Sequence, residues 1–589
     1  MDPLANSATY PLKAALTQYI HDMTWQTTAA QYLEERDKSI PKEYLLTLPP
    51  ADDVLDVKDY PTLPGVLSPL ELEITQSLTV TQLLEAIKAG RYTALQVTEA
   101  FCHRATIAHQ LTNCLTELFF DKALERAREL DEYYEKTGKT IAVVSKVASS
   151  SRHRDSKSLT FPYTVPISLK DQIEVEGTNF TMSYVGWVGN KAKHNAVIAD
   201  ILLAQGAVLY CRTNMSQGLW FGEGYNNVYG RTLNPFNRNV TCGGSSGGEG
   251  ALIGLRGSLL GVGSDIGGSV RIPAAYQGLY GVRGSYARIP YCKASNSCEG
   301  QEMVRSVLGP LTVSVDGLKT FYKAVLDAKP WELDPWTPRM PWSDSAYNLV
   351  DHGNGEKLCF AIMWDDGVVK PCPPYERGMK EVKDALLAAG HEVIDWTPYK
   401  SAEARDLLMR FFTADGGYDL KKQLALSGEP QLGSILERGV PELSAHEVFD
   451  LCYRRSAFVK DSLDYWNATT SQTTTGRPVD AIIAPACGGP PQPHDGFMWL
   501  GYTGFCNLND YTASILPATQ VDPARDPKPS RTDFIGEDDR KTYEQYDPVF
   551  MKGAPCSLQI IGKKYEEEAV IRMTEIADAA LKQYRGGRT

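Results

Sequence analysis

From about Thr79 onward the apolar positions follow two recurring patterns. In the first they share one helical face: Leu83, Leu84 and Ile87 follow Thr79, a capping hydroxyl, and Gly90 ends the run. Thr93, with Gln96 three residues on, repeats the start signal. The second pattern is a short continuous apolar run. Asn195 to Gln205 predicts a helix, Gly206 stops it, and Ala207-Val208-Leu209-Tyr210-Cys211 predicts a buried strand. Helix, glycine and strand recur at Met379–Ala389, Gly390 and His391–Trp396, and Ala481–Ala484 is a further buried strand. Ala569–Tyr584 predicts a terminal amphipathic helix, with Met573, Ile576, Ala580, Leu581 and Tyr584 at helical spacing. Short apolar strands alternating with helices predict an α/β fold whose largely parallel sheet is covered on both faces.

The first 75 residues read differently. Ala29–Arg36 suggests a short helix, after which Pro41, Pro49, Pro50, Pro61 and Pro64 interrupt any regular element. The expected division is an N-terminal helical and irregular arm over 1–75 and a catalytic domain over 76–589. Lys146–Ser158 (KVASSSRHRDSKS) is serine-rich and basic and reads as a solvated loop. No repeat of 20–50 residues recurs.

Composition narrows the function classes. The chain has 589 residues, 43% of them hydrophobic, enough for a substantial core. A net charge of −12 without a block of Lys or Arg argues against nucleic acid as a partner. The most apolar helical stretch, Ala196–Ala204, carries Asp200 and is too short to span a membrane. The N-terminus lacks the basic start and apolar run of a secretory signal, so a cytoplasmic protein is expected. The 12 cysteines are scattered without a C-x-x-C pair and read as buried thiols, giving no metal site. A homodimer is compatible with a chain of this size.

The chemistry concentrates in Cys242–Pro273, CGGSSGGEGALIGLRGSLLGVGSDIGGSVRIP. Glycine at this density costs backbone entropy, and three uses compete for it. A phosphate cradle fails because the chain's one Gly-Lys-Thr, Gly138-Lys139-Thr140, has Tyr133 where the P-loop needs glycine. A flexible linker fails on Ala251-Leu252-Ile253 and Leu259-Leu260, which are too apolar. An acyl-transfer site remains. Asp265-Ile266-Gly267-Gly268-Ser269 offers successive backbone N–H groups leading into a serine, and such a turn can hold an oxyanion. Serine needs a base. No histidine lies near in sequence, and the G-x-S-x-G elbow is absent around Ser269. Val165-Pro166-Ile167-Ser168-Leu169-Lys170 reads as an apolar strand that delivers a lysine, and burial would lower that lysine's pKa.

At these residues the chain resembles the amidase-signature family. The block GGSSGGEGALIG…GVGSDIGGSVRIPAA is similar to that family's signature, and PISLKDQ to its lysine strand. The spacings match as well, 75 residues from Lys170 to Ser245 and 24 from Ser245 to Ser269. LTNC near Leu111, ARELDEYY near Ala127, SGEP at Ser427 and DAIIAP at Asp480 place the likeness nearest the fungal acetamidase-like branch.

The resemblance implies an α/β/α sandwich around a large mixed sheet of about eleven strands. It implies Ser269 as nucleophile, Ser245, after a cis bond at Gly244, as proton relay, and Lys170 as base. Backbone N–H groups of Ile266, Gly267, Gly268 and Ser269 would hold the oxyanion. Ser246, Asp265 and Arg271 would support them, and Leu219 would border the substrate. No metal or organic cofactor is required. Leu219–Tyr225 and Phe497–Tyr511 are expected to shape the pocket. Two stretches depart from the family pattern: Ser158–Thr164 replaces a Gly-Pro-Leu-x-Gly turn, and Gly284 and Ala287 stand where proline and glycine are common. The expected activity is hydrolysis of an amide to acid plus ammonia or amine. A glutaminase subunit of an amidotransferase is the alternative, disfavoured by the acidic charge and the N-terminal arm. A non-catalytic binding protein on this fold is disfavoured by the intact Lys170, Ser245 and Ser269.

Overall fold

The computed structural model describes residues 10–138, 165–433 and 439–586. The serine-rich segment 146–158 and the departure at 158–164 lie outside the described residues. The capping signals form the elements they predict. Thr79 and Thr93 each accept the N–H of the glutamine three residues on, and the helices Val80–Lys88 and Ala94–Thr112 follow. Gly206 and Gly390 take left-handed φ values of 93° and 89°, which end the helices before them. The helix expected from Asn195 begins at Val197. Asn195 instead accepts the Glu176 N–H and so belongs to the entry loop. The helix expected at Ala29–Arg36 is part of a longer one, Tyr10–Lys38.

Among the described residues thirteen strands follow in chain order. They are β1 (Leu115–Leu118), β2 (Pro166–Lys170), β3 (Val208–Thr213), β4 (Tyr225–Asn226), β5 (Gly230–Arg231) and β6 (Leu260–Asp265). Then come β7 (Tyr280–Arg283), β8 (Val307–Thr312), β9 (Cys359–Ile362) and β10 (Glu392–Asp395). The last are β11 (Ala481–Pro485), β12 (Ala513–Gln520) and β13 (Pro555–Ile561). All but the β4–β5 ribbon join one eleven-stranded sheet in the order β1-β3-β2-β6-β8-β7-β12-β13-β11-β9-β10.

The sheet is mixed. Parallel ladders form two blocks, β3-β2-β6 and β11-β9-β10. Antiparallel pairs join the blocks and add β1 at one edge. The helices Gly247–Gly254, Pro373–Ala388 and Glu567–Gly586 pack against its strands.

Strand direction places the chemistry. Ser168 and Leu169 of β2 run parallel to Gly261 and Val262 of β6, so Lys170 and Asp265 both sit at carboxyl ends of neighbouring strands. In open α/β sheets that is the end where ligands bind. Gly261 lets the helix Gly247–Gly254 close onto β6, because a Cβ there would lie 1.9 Å from Glu249 Oε2. Among the described residues no helix is long and apolar enough to cross a membrane.

Candidate active site

Lys170 is fully buried, and its Nζ lies 2.6 Å from Ser245 Oγ and 2.9 Å from Ser264 Oγ. The polarity of this contact can be worked out from outside inward. Gln172 Nε2 donates to the Ser295 carbonyl at 2.8 Å, so Oε1 faces Ser264. The Ser264 hydroxyl donates to that oxygen at 2.5 Å. Its own oxygen therefore accepts from Lys170. A neutral amine that donates to Ser264 has its lone pair free to accept from Ser245. Burial pushes the Lys170 pKa well below its ordinary value, and the charges of Asp265 and Glu249 oppose the shift only partly.

Ser245 follows a cis peptide bond from Gly244. Gly244 is confined by backbone: an added Cβ would lie 2.5 Å from Glu223 N. The Ser246 N–H donates to the Ser269 carbonyl at 3.3 Å, and its hydroxyl lies 3.4 Å from both the N and the O of Ser264. Ser246 thus ties the serine-rich turn to β6. No hydrogen bond joins the Ser245 and Ser269 hydroxyls among the described residues.

Asp265 organises the turn that carries Ser269. Its carboxylate accepts the N–H groups of Gly268 at 2.8 Å and Val270 at 3.2 Å, and pairs with Arg271 through Nε–Oδ2 at 3.0 Å and Nη2–Oδ1 at 3.1 Å. Both partners are fully buried. Burial alone would raise the Asp265 pKa, but the Arg271 charge and hydrogen bonds, with Asn507, bring it to about 2. Arg271 also reaches the Thr503 carbonyl, Gln559 Oε1 and Asn507 Oδ1, at 3.0, 3.1 and 2.6 Å. Gly268 adopts a φ of 136°, and an added Cβ would lie 2.5 Å from Thr503 Oγ1. Thr503 Oγ1 in turn donates to the Gly267 carbonyl at 2.6 Å.

This turn corrects one expectation. The Gly268 amide is taken up by Asp265, so Gly268 fixes the turn's shape instead of facing the substrate. The amides of Ile266, Gly267 and Ser269 have no partner among the described residues, and these three residues line a cavity of about 560 Å³. Leu219, expected to border the substrate, lines the same cavity with a φ of 73°. Of the two segments expected to shape it, Leu219 to Gly222 and Leu500 do so, whereas Phe497 faces a separate small cavity. Neither Gly284 nor Ala287 lines it.

Several residues of the site were not singled out in the sequence. Gln172 and Ser264 orient Lys170. Glu249, fully buried on the helix Gly247–Gly254, accepts from Ser168 Oγ at 2.6 Å and Thr213 Oγ1 at 2.8 Å. Burial drives its pKa up to about 7 against the pull of those hydroxyls and of Lys170. Phe411, Phe412 and the segment from Ala414 to Gln423 supply much of the cavity wall.

Comparison with known proteins gives a uniform result. A family model described as Amidase matches residues 96–571. An acetamidase of Emericella nidulans is 39% identical over 557 residues, covering 94% of this chain and 97% of the relative. An acetamidase of Aspergillus oryzae is 38% identical, covering 95% and 99%. Among solved structures, a fatty acid amide hydrolase superposes with a TM-score of 0.84 at 32% identity, over 95% of each chain.

Proposed function

The chain belongs to the Amidase family and is a serine amidase, and from that premise we propose a Ser–Ser–Lys acyl-enzyme route carried by Ser269, Ser245 and Lys170. The observation that supports it most directly is the buried Lys170 nitrogen 2.6 Å from Ser245 Oγ.

A turn of the Ser269 side chain toward Ser245 completes the relay. Ser269 Oγ then attacks the amide carbon, its proton moves to Ser245 Oγ, and the Ser245 proton moves to Lys170 Nζ. Negative charge gathers on the former carbonyl oxygen, which the Ile266, Gly267 and Ser269 amides receive. As the C–N bond breaks, the proton returns from Lys170 through Ser245 to the leaving nitrogen, which departs as ammonia or amine. Water attacks the acyl ester by the same relay, releasing the carboxylic acid and restoring Ser269. All of these steps take place within one chain, and the acetamidase relatives make small aliphatic amides reasonable first substrates.

The test uses the purified full chain with a panel of primary and secondary amides. A fluorophosphonate probe and peptide mass spectrometry then locate the adduct. Turnover without a partner and a single adduct on Ser269, absent in Ser269→Ala, are expected. An adduct on another serine would overturn the assignment.

A further inference from the structure

Two short turns supply part of the wall of the Ser269 cavity. Val185–Trp187 contributes Trp187, and Gln217–Leu219 with its continuation contributes Leu219, Trp220 and Phe221. The second turn is held in a conformation its residues do not favour. Leu219, a bulky residue without glycine's freedom, has a φ of 73°. Such a backbone persists only where its surroundings over-determine it. The same turn touches the relay, because the Ser216 N–H donates to the Ser245 carbonyl at 3.3 Å.

The surroundings converge on Glu429, in the SGEP motif that begins at Ser427. Glu429 is 4% exposed and does not itself line the cavity. Its Oε1 accepts the Val185 N–H at 2.6 Å, and its Oε2 accepts Gln217 Nε2 at 2.8 Å and Asn227 Nδ2 at 3.0 Å. Gln217 is gripped at both ends of its amide: Nε2 also donates to the Pro430 carbonyl at 3.1 Å, and Oε1 accepts the Leu432 N–H at 2.9 Å. One buried carboxylate thus carries both wall turns. Burial raises its pKa, and the Asn227, Gln217 and Val185 donors pull against that shift. A carboxylate removed from water needs such donors, so it holds them tightly in place.

We propose that Glu429 is a positioning residue that sets size selectivity: acting through Gln217, it fixes Leu219 as a firm wall against which the apolar body of a bulky amide packs. The inference rests on the amidase reading of Ser269 and adds what discriminates among its substrates. The cavity, about 560 Å³, is far larger than acetamide. A small amide therefore gains little from this wall, whereas a phenylalkyl amide gains in proportion to the apolar area it buries there. Any change passed on through Ser216 to Ser245 affects both amides alike and cancels in their ratio.

The test measures kcat and KM for acetamide and for hydrocinnamamide, a phenylalkyl primary amide. The proteins are the wild type, Glu429→Gln, Gln217→Met, their double variant, and Asn227→Ala, which removes a donor to the same carboxylate that lies outside the cavity wall. Thermal unfolding reports folding, and calorimetry measures hydrocinnamamide binding to each protein carrying Ser269→Ala. In Glu429→Gln the kcat/KM ratio of hydrocinnamamide to acetamide should fall about tenfold, mainly through KM, with a matching loss of binding. Gln217→Met should do the same, the double variant should be no worse than either, and Asn227→Ala should keep the ratio. A ratio unchanged in Glu429→Gln, or effects that add in the double variant, would overturn the proposal. If Glu429→Gln does not fold, Gln217→Met and Asn227→Ala decide: the ratio lowered by the first alone supports the proposal, and any other pattern overturns it. Should the wild type hydrolyse neither amide, the hydrolytic reading fails, and the binding losses judge the role of Glu429 by the same pattern. A wild-type cavity that neither binds nor hydrolyses hydrocinnamamide would overturn it.

Discussion

At the scale of single residues, the proposed route depends on keeping one amine neutral and aimed. On that route Lys170 would serve as a base only above its own pKa, so kcat/KM should be lost as pH falls through that value. Glu249 and Asp265 are the negative charges that hold this pKa up against burial. Glu249→Gln removes one of them while leaving an oxygen for Ser168 and Thr213, so the Lys170 pKa falls further. The acid limb of the pH profile should move to lower pH; a limb that stays put or moves up would contradict the coupling. Aim is a separate requirement. In Gln172→Leu the Ser264 hydroxyl loses its acceptor and can turn its hydrogen onto the Lys170 lone pair. kcat should fall about tenfold, the worth of roughly one hydrogen bond, with KM little changed. Both residues escaped the sequence reading for the same reason. Both lie inside quoted motif blocks, but their roles arise from contacts 92 and 81 positions away along the chain, Gln172 to Ser264 and Glu249 to Ser168, which no local pattern shows.

At the scale of elements, what could be read was what the chain decides locally. Thr79 with Gln82, Thr93 with Gln96, and the glycines at 206 and 390 start or stop helices through atoms within a few residues, and each appears where the pattern put it. The turn Asp265–Ser269 was recognised as a set of amides, but their direction depends on the Asp265 side chain folding back and on Thr503 from a distant helix. Hence the resemblance implies four donors, whereas in the fold one of those four amides, Gly268, is taken up by Asp265. Gly268→Ala tests the turn as a unit. A φ of 136° and a Thr503 oxygen 2.5 Å from the new Cβ would force the peptides on either side to rotate. A loss of about a hundredfold in kcat is expected, the cost of disturbing one oxyanion donor, with the circular dichroism spectrum retained. Near-native kcat would mean that the turn tolerates rotation and that its amides do not set the rate.

At the scale of the whole molecule, the eleven-stranded sheet brings the site together from the parallel block β3-β2-β6 and from β13, four positions away from β6 across antiparallel pairs. Lys170 and Asp265 come from β2 and β6, whereas Thr503, Asn507 and Gln559, which grip Arg271, belong to the helix Gly501–Asn509 and to β13. The cavity wall at Phe411 to Lys422 comes from a third stretch, between β10 and β11, and composition gave no sign that it would close over Ser269. Arg271 is therefore the residue whose loss should be felt across the molecule. Arg271→Leu leaves the Asp265 carboxylate buried without its cation, a change that typically costs about 3–5 kcal/mol. The sign with pH distinguishes this cause from simple loss of packing. In the wild-type chain the Asp265 pKa is depressed to about 2. Its stabilising contribution is present above the unfolded value near pH 4, where it amounts to roughly 2–3 kcal/mol, and is lost as pH falls toward 2. In the variant the same carboxyl, desolvated and unpaired, should have a raised pKa, so lowering the pH from 7 to 5 should recover stability. Asp265→Asn/Arg271→Leu should recover it at every pH, because the stranded charge is gone. Denaturant unfolding of the three proteins at pH 5 and pH 7 checks this. If the single and double variants unfold alike at pH 7, Arg271 acts through its contacts to Thr503 and Gln559 and not through the charge it neutralises.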